Sequence, residues 1–182
     1  MAFMTMFWAM DAGALSLDTN WEEVNPTNTM MDVAGVVNDD RLTIAQYVDG
    51  STLVFSNLTS VGQNTFTNKT DLKYVKLGKT VTNIGNSAFS GCSELTSVTI
   101  PDNVMGIGSD AFSGCRSLVS VTIPDSCSFL DHELFMYCYS LKKVTIGGNS
   151  KISLSWLMFR MCTNLTTIIC NTKINSINEN AF

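Results

Sequence analysis

Hydrophobic residues recur with a fixed period along most of this chain. Phenylalanine marks each period, and successive intervals are 23, 23, 23, 24 and 23 residues at Phe66, Phe89, Phe112, Phe135, Phe159 and Phe182. Leu95, Val98 and Ile100 follow Phe89 in a spacing that recurs after the neighbouring phenylalanines. Self-similarity at a period of roughly 20–50 residues indicates a repeat architecture. The pattern therefore predicts a stack of about five coils.

Each repeat contains one segment with the pattern of a short strand. In Leu95–Ile100, apolar residues such as Val98 alternate with hydroxyl residues such as Thr99, as in a strand with one buried face. Every coil starts in the same direction, so successive strands are expected to be parallel. The return segment, residues 87–92, predicts a short helical turn with a left-handed ending at Gly91. One coil cannot bury its own apolar side, so stability must come from stacking.

The most regular repeat reads Val-Thr-Asn-Ile-Gly-Asn-Ser-Ala-Phe-Ser-Gly-Cys-Ser-Glu-Leu-Thr-Ser-Val-Thr-Ile-Pro from Val81 to Pro101, and it nearly recurs from Val104 to Pro124. This string resembles the BspA-like class of leucine-rich repeat, and the resemblance covers about residues 52–182. It weakens later, where Asp131 replaces a glycine and Gly147 replaces a proline. The resemblance implies surface-displayed or secreted proteins that bind other proteins or host matrix without catalysis.

We predict an α/β repeat fold: a right-handed leucine-rich repeat solenoid with a parallel strand ladder on one face and short helical turns on the other. The solenoid spans residues 51–182, and residues 1–50 form a non-repeat N-terminal head. The chain stops at Phe182, just before the next expected strand. Natural solenoids cover an open core end, so we expect further coils beyond residue 182.

Charge and motifs exclude several function classes. The net charge of −5 argues against a nucleic-acid partner, and no window reaches the roughly 20 apolar residues of a membrane span. The single histidine, His132, has Asp131 and Glu133 beside it but no evident nucleophile, so we interpret it as a solvated turn residue. Phosphate-binding, zinc-protease and nucleophile-elbow motifs do not occur. We predict no enzyme activity, no cofactor and no metal site.

Four cysteines share one phase, three residues after a phenylalanine. Stacked coils would hold their side chains parallel and about 5 Å apart, which does not suit a disulfide. Zinc sites normally use closely spaced cysteine pairs, which this chain lacks. We interpret these thiols as buried and free, and expect the same of Cys127 and Cys170. The predicted structural residues are Phe66, Phe89, Phe112, Phe135, Phe159, Cys92, Cys115, Cys138 and Cys162.

The outward side of the predicted ladder is the candidate ligand surface. It combines a row of hydroxyl side chains with two lysines and an aromatic residue, which suits a protein or glycan ligand. Alternatively, threonine is there only because it is a good strand residue. The 24-residue coil adds potential anchors at Trp156, Met158, Arg160 and Met161, or is an irregular insertion. The predicted ligand-binding residues are Tyr74, Lys76, Ser97, Thr99, Ser120, Thr122, Lys143, Thr145, Thr167 and Ile169.

The first 40 residues differ in composition from the repeats. They carry seven acidic and no basic residues, whereas the rest of the chain has nine acidic and eleven basic ones. The apolar start lacks the basic residues and clean apolar run of a secretory signal, so we predict no signal peptide. The head is interpreted either as an assembly segment or as a cap on the first coil, and residues 41–48 as a strand or a short helix. The predicted assembly residues are Phe3, Phe7, Trp8, Met10 and Trp21.

Two functions remain open from the sequence. The first is a non-catalytic protein-binding or adhesion module, extracellular or displayed on a surface. The alternative is a structural component of a large assembly, such as a virion or surface appendage, anchored by residues 1–50 and displaying the repeats. In that case the head would join this chain to further copies or to other assembly proteins.

Overall fold

The computed structural model describes residues 59–147, 152–171 and 173–182 in full. Before these it gives four strands as backbone only: β1 (Val37–Asn38), β2 (Arg41–Leu42), β3 (Ile44–Val48) and β4 (Thr52–Ser56). The head is therefore described only in part. Outside the described residues lie the predicted assembly residues Phe3, Phe7, Trp8, Met10 and Trp21.

Each coil contributes strands to two ladders rather than one. The front ladder contains β4, β6 (Tyr74–Lys76), β8 (Ser97–Thr99), β10 (Ser120–Ile123), β12 (Lys143–Ile146) and β14 (Thr167–Cys170). The back ladder contains β5 (Ser60–Val61), β7 (Asn83–Ile84), β9 (Gly106–Ile107), β11 (Phe129–Leu130), β13 (Ile152–Leu154) and β15 (Ile174–Ile177).

Strand pairing within both ladders is parallel, and each ladder consists of two hydrogen-bonded groups: β4 to β8 and β10 to β14 at the front, and β5 to β11 and β13 with β15 at the back. Tyr74 pairs with Ser97 in the front ladder, and Lys143 pairs with both Ser120 and Thr167, so equivalent repeat positions stand side by side. In the back ladder Ile84 likewise pairs with its equivalents in the neighbouring coils. The prediction of a parallel solenoid of about five turns is confirmed.

The apolar phases of the repeat form the core between the two ladders. In β8, Val98 is buried while Ser97 and Thr99 are exposed, which is the alternation that the sequence predicted. Phe66, Phe89, Phe112, Phe135 and Phe159 are buried, whereas Phe182 is exposed, and each of these rings stacks on the next with centroids 5.3 to 5.8 Å apart. Stacking of equivalent side chains thus makes the core continuous through the described coils.

The return segments are turns, so the prediction of short helical turns was wrong. The N–H of Phe89 donates to the carbonyl of Ala111 in the next coil at 2.8 Å, whereas the N–H of Ser90 donates to Ser87 at 3.1 Å within its own coil. In an α-helix, each N–H after the first turn donates to the carbonyl four residues before it in the same segment. Ser87 also has a φ of +52°, which is incompatible with a right-handed helix. No helix occurs in the part of the chain that the structure describes.

Two residues of each coil adopt the left-handed backbone conformation. They lie two residues before and two residues after the phenylalanine. In the second of these positions Gly91 and Gly114 have φ of +73° and +71°, but Tyr137 and Met161 adopt +62° and +63° with full side chains. A non-glycine residue in this region costs roughly 1–2 kcal/mol. At this second position the later coils therefore carry backbone strain that glycine spares the regular coils. The left-handed residues are Asn64, Asn68, Ser87, Gly91, Asp110, Gly114, Glu133, Tyr137, Leu157 and Met161.

Residues 41–48, for which the sequence left a strand and a short helix open, contain two strands. β2 pairs antiparallel with β1, and β3 pairs antiparallel with β4. β4 also pairs in parallel with β6, so it stands between β3 and the rest of the front ladder. The first strand of the front ladder consequently has a backbone partner on both sides.

Candidate functional site

The front ladder presents the ten residues that the sequence singled out as a candidate ligand surface. Nine are exposed, and Thr145 is half-buried. The aromatic ring of Tyr74 is 46% exposed at one end of this row, and Ile169 is 39% exposed at the other. This row, the front face, consists of Tyr74, Lys76, Ser97, Thr99, Ser120, Thr122, Lys143, Thr145, Thr167 and Ile169.

The chemistry of the front face is neutral to basic. Two of its ten residues are lysines and none is acidic, while six are hydroxyl residues. Parallel pairing aligns these hydroxyls in rows, for example Thr122 beside Thr145. Such a surface offers hydrogen bonds along its whole length and positive charge at Lys76 and Lys143.

The back ladder exposes large apolar side chains that the sequence analysis did not single out. Met105 is 52% exposed and Phe129 is 56% exposed, on neighbouring coils. A signal for them exists in the sequence. Met105 stands seven residues before a phenylalanine, where three other coils carry Thr59, Thr82 and Ser128, and Phe129 stands six residues before one, where other coils carry serine, asparagine or glycine.

A groove of about 750 Å³ lies at the far end of the back ladder, and we call it the Trp156 groove. The indole of Trp156 is 47% exposed, and its ring centroid lies 6.4 Å from that of His132. Three consecutive coils supply its walls, because β13 and β15 and the turns beside them lie side by side. The groove is lined by Asp131, His132, Ser153, Leu154, Ser155, Trp156, Ser176, Ile177, Asn178 and Glu179.

His132 has a hydroxyl neighbour that the sequence analysis missed. Its Nδ1 lies 2.7 Å from Asp131 Oδ1, and its Nε2 lies 3.3 Å from Ser109 Oγ in the preceding coil. The Ser109 hydroxyl donates to Asp110 Oδ2 at 3.0 Å. These side chains form a chain of hydrogen bonds that joins two consecutive coils.

The four in-phase cysteines each bond to the coil before them. The thiol of Cys92 donates to the carbonyl of Phe66 at 3.1 Å, and Cys115, Cys138 and Cys162 make the equivalent bond at 3.1 to 3.2 Å. Burial raises the pKa of Cys92 to about 12. All the described cysteines are free thiols.

Cys170 departs from the expectation of a buried thiol, because it is exposed. It pairs with Ile146, which is buried, so both occupy the same phase of the repeat. β14 is the outermost front-ladder strand of the described residues, so no further strand covers the Cys170 side chain there.

The described residues contain neither a membrane-spanning helix nor a cluster of metal ligands. Among them no helix is long and apolar enough to cross a bilayer. Nor do three or more histidine, cysteine, aspartate or glutamate side chains of this part of the chain come together as metal ligands.

Comparison with known proteins places these features in context. The family model for the BspA type leucine rich repeat region matches residues 55–182 in six copies. No curated protein matches the sequence. A leucine-rich cell surface protein from Faecalibacterium prausnitzii has a similar structure, with a TM-score of 0.60 at 21% identity over 70% of this chain and 38% of that one.

Two further solved structures share the solenoid. The pneumococcal vaccine antigen PcpA is similar with a TM-score of 0.67 and 23% identity, over 72% of this chain and 33% of that one. The leucine-rich repeat protein TpLRR of T. pallidum is similar with a TM-score of 0.52 and 26% identity, over 70% of this chain and 73% of that one. The chain thus spans little more than a third of the first neighbour and a third of PcpA.

Proposed function

Because this chain belongs to the BspA-type leucine-rich repeat family, we propose that it is a non-catalytic protein-binding module, secreted or displayed on a surface. The family provides a scaffold whose buried positions are fixed by stacking. Specificity then rests on the exposed positions, which differ from coil to coil. The Faecalibacterium prausnitzii protein that shares this solenoid is a cell surface protein, which supports the proposed location.

The front face is the surface that we propose for the protein ligand. Its ten residues, nine of them exposed, stand on strands that pair in two groups, β6 with β8 and β10 to β14, so the side chains are held in place before a ligand arrives. Pre-organised side chains lose little conformational freedom on binding, which favours affinity. Two lysines without an acidic residue favour a partner surface that carries carboxylates beside hydrogen-bonding groups.

A charge-reversal experiment tests this assignment. The full chain would be presented to a panel of immobilised extracellular proteins, and any binding protein titrated against the parent chain and two double variants. Lys76→Glu combined with Lys143→Glu reverses the charge of the front face. Lys79→Glu combined with Lys173→Glu makes the same net change at two exposed lysines outside that face.

We expect the front-face variant to lose at least tenfold in affinity for the partner, and the matched control to stay within about twofold of the parent chain. Salt should weaken binding to the parent chain, because exposed charges are screened. Equal losses in both variants, or binding unaffected by either, would remove the front face from the proposal.

A further inference from the structure

The Trp156 groove combines an exposed aromatic ring with carboxylates, and no lysine or arginine is among the described residues that line it. Its charged and titratable lining groups are Asp131, His132 and Glu179. We propose that this groove binds a cationic side chain, lysine or arginine, from a partner protein. The groove lies on the back ladder, so the inference does not depend on the front face as a binding surface.

Repeat geometry places the three key side chains in one row. His132, Trp156 and Glu179 each stand three residues before the phenylalanine of consecutive coils. A backbone hydrogen bond fixes the register between the first two of these coils: the N–H of Glu133 donates to the Trp156 carbonyl at 2.9 Å. Neighbouring positions in such a row are about 5 Å apart. A cation within about 6 Å of the indole centroid would therefore also lie near the position of Glu179.

The two carboxylates of the groove have different environments. Asp131 Oδ1 already accepts from the backbone N–H of His132 at 2.8 Å and lies 2.7 Å from the imidazole Nδ1. Glu179 is exposed. Tryptophan is the aromatic side chain whose face attracts cations best. The indole and the Glu179 carboxylate thus form the recognition pair, with Asp131 adding negative potential.

The hydroxyl groups of the groove favour a cation over a sugar. Ser155 Oγ donates to the carbonyl of Leu130 at 3.0 Å, and Ser176 Oγ donates to Ser153 Oγ at 2.9 Å. Both donors are used within the protein, which leaves fewer for the hydroxyls of a glycan. A cationic side chain needs only the ring face and acceptors, which the groove supplies.

The test uses N-acetyl-argininamide as the probe and N-acetyl-citrullinamide as its neutral isostere. Binding to the full chain is followed through the Trp156 indole N–H signal in nitrogen-15 NMR, identified by its loss in Trp156→Phe. Glu179→Gln removes the proposed carboxylate, and Glu94→Gln makes the same charge change at an exposed site outside the groove. For Trp156→Ala, binding is read from saturation transfer to the probe, and a far-UV melt checks that the coils remain folded.

We expect a saturable shift with N-acetyl-argininamide and at least fivefold weaker binding of the citrulline analogue. Trp156→Ala and Glu179→Gln should each weaken arginine binding by roughly two- to fivefold, as expected for exposed cation–π and ion-pair contacts. Glu94→Gln should leave it unchanged. Equal binding of the two probes, no shift at Trp156, or a larger shift with a neutral oligosaccharide would each overturn the proposal.

Discussion

The rings of Phe89 and Phe112 stack with their centroids 5.5 Å apart and their planes within 4° of parallel. Each ring is fully buried and has another phenylalanine on its far side, Phe66 or Phe135. A phenylalanine therefore contacts the coil before it and the coil after it at once. Removing the ring would open a cavity between two coils. A shift of one coil alone could not close this cavity.

We predict that Phe89→Ala or Phe112→Ala lowers the free energy of unfolding by roughly 3–5 kcal/mol, because truncation leaves a cavity in a packed core. Urea denaturation followed by circular dichroism measures this. Thr99→Ala, on the exposed front face, should cost less than about 1 kcal/mol. Similar losses in the core and surface variants would contradict the role of the phenylalanine stack.

Backbone strain at Met161 gives a second prediction. Its φ of +63° favours glycine, which is the residue at the equivalent position in the regular coils. We expect Met161→Gly to be more stable than Met161→Ala by about 1 kcal/mol, because alanine keeps the left-handed penalty and glycine does not. Unfolding of the two variants in parallel urea titrations gives the difference directly.

Two other sites serve as controls for Met161. Gly114→Ala should lose about 1 kcal/mol for the same reason, because Gly114 has a φ of +71° and a Cβ there would meet no atom closer than 3.5 Å. At Thr99, in a strand, the order should reverse and alanine should be the more stable. Alanine more stable than glycine at position 161 would show that the strain is absent.

The sequence predicted the repeat, the parallel strands and the buried positions, because the same residue types recur at the same positions of each repeat. It did not predict the turn at residues 87–92. The composition of these six residues is compatible with a helix, and it does not reveal that every second N–H donates to the next coil. The back ladder was missed because strands such as Asn83–Ile84 are too short to show a period of two. The Trp156 groove joins three coils, so only the register between them brings its residues together.

The thiols differ sharply in expected reactivity. Burial raises the pKa of Cys92 and of Cys162 to about 12 and that of Cys127 to about 11, so thiolate is scarce in the folded chain. Cys170 is exposed. Because the thiolate is the nucleophile, iodoacetamide at pH 8 should label Cys170 first among these four cysteines.

Peptide mass spectrometry of briefly labelled protein measures the modified fraction at each cysteine. Labelling in denaturant is the control, and it should equalise the four sites. Modification of Cys92 as fast as that of Cys170 in the folded protein, or a disulfide at Cys92, would contradict its burial in the stacked core.

Raised thiol pKa values also make stability depend on pH. The folded pKa of Cys92, about 12, lies above its ordinary value of 9.0, so the folded state holds this proton more tightly than the unfolded chain. Its contribution is therefore complete below about pH 9 and is lost as the pH rises towards 12. Urea titrations under reducing conditions at pH 8, 9 and 10 should show a free energy of unfolding that falls as the pH rises.

Cys92→Ala should reduce the slope of this free energy against pH by at most about 1.4 kcal/mol per pH unit. Cys170→Ser, at the exposed thiol, should change the slope much less, and an unchanged slope in Cys92→Ala would show that this proton is not held by the fold.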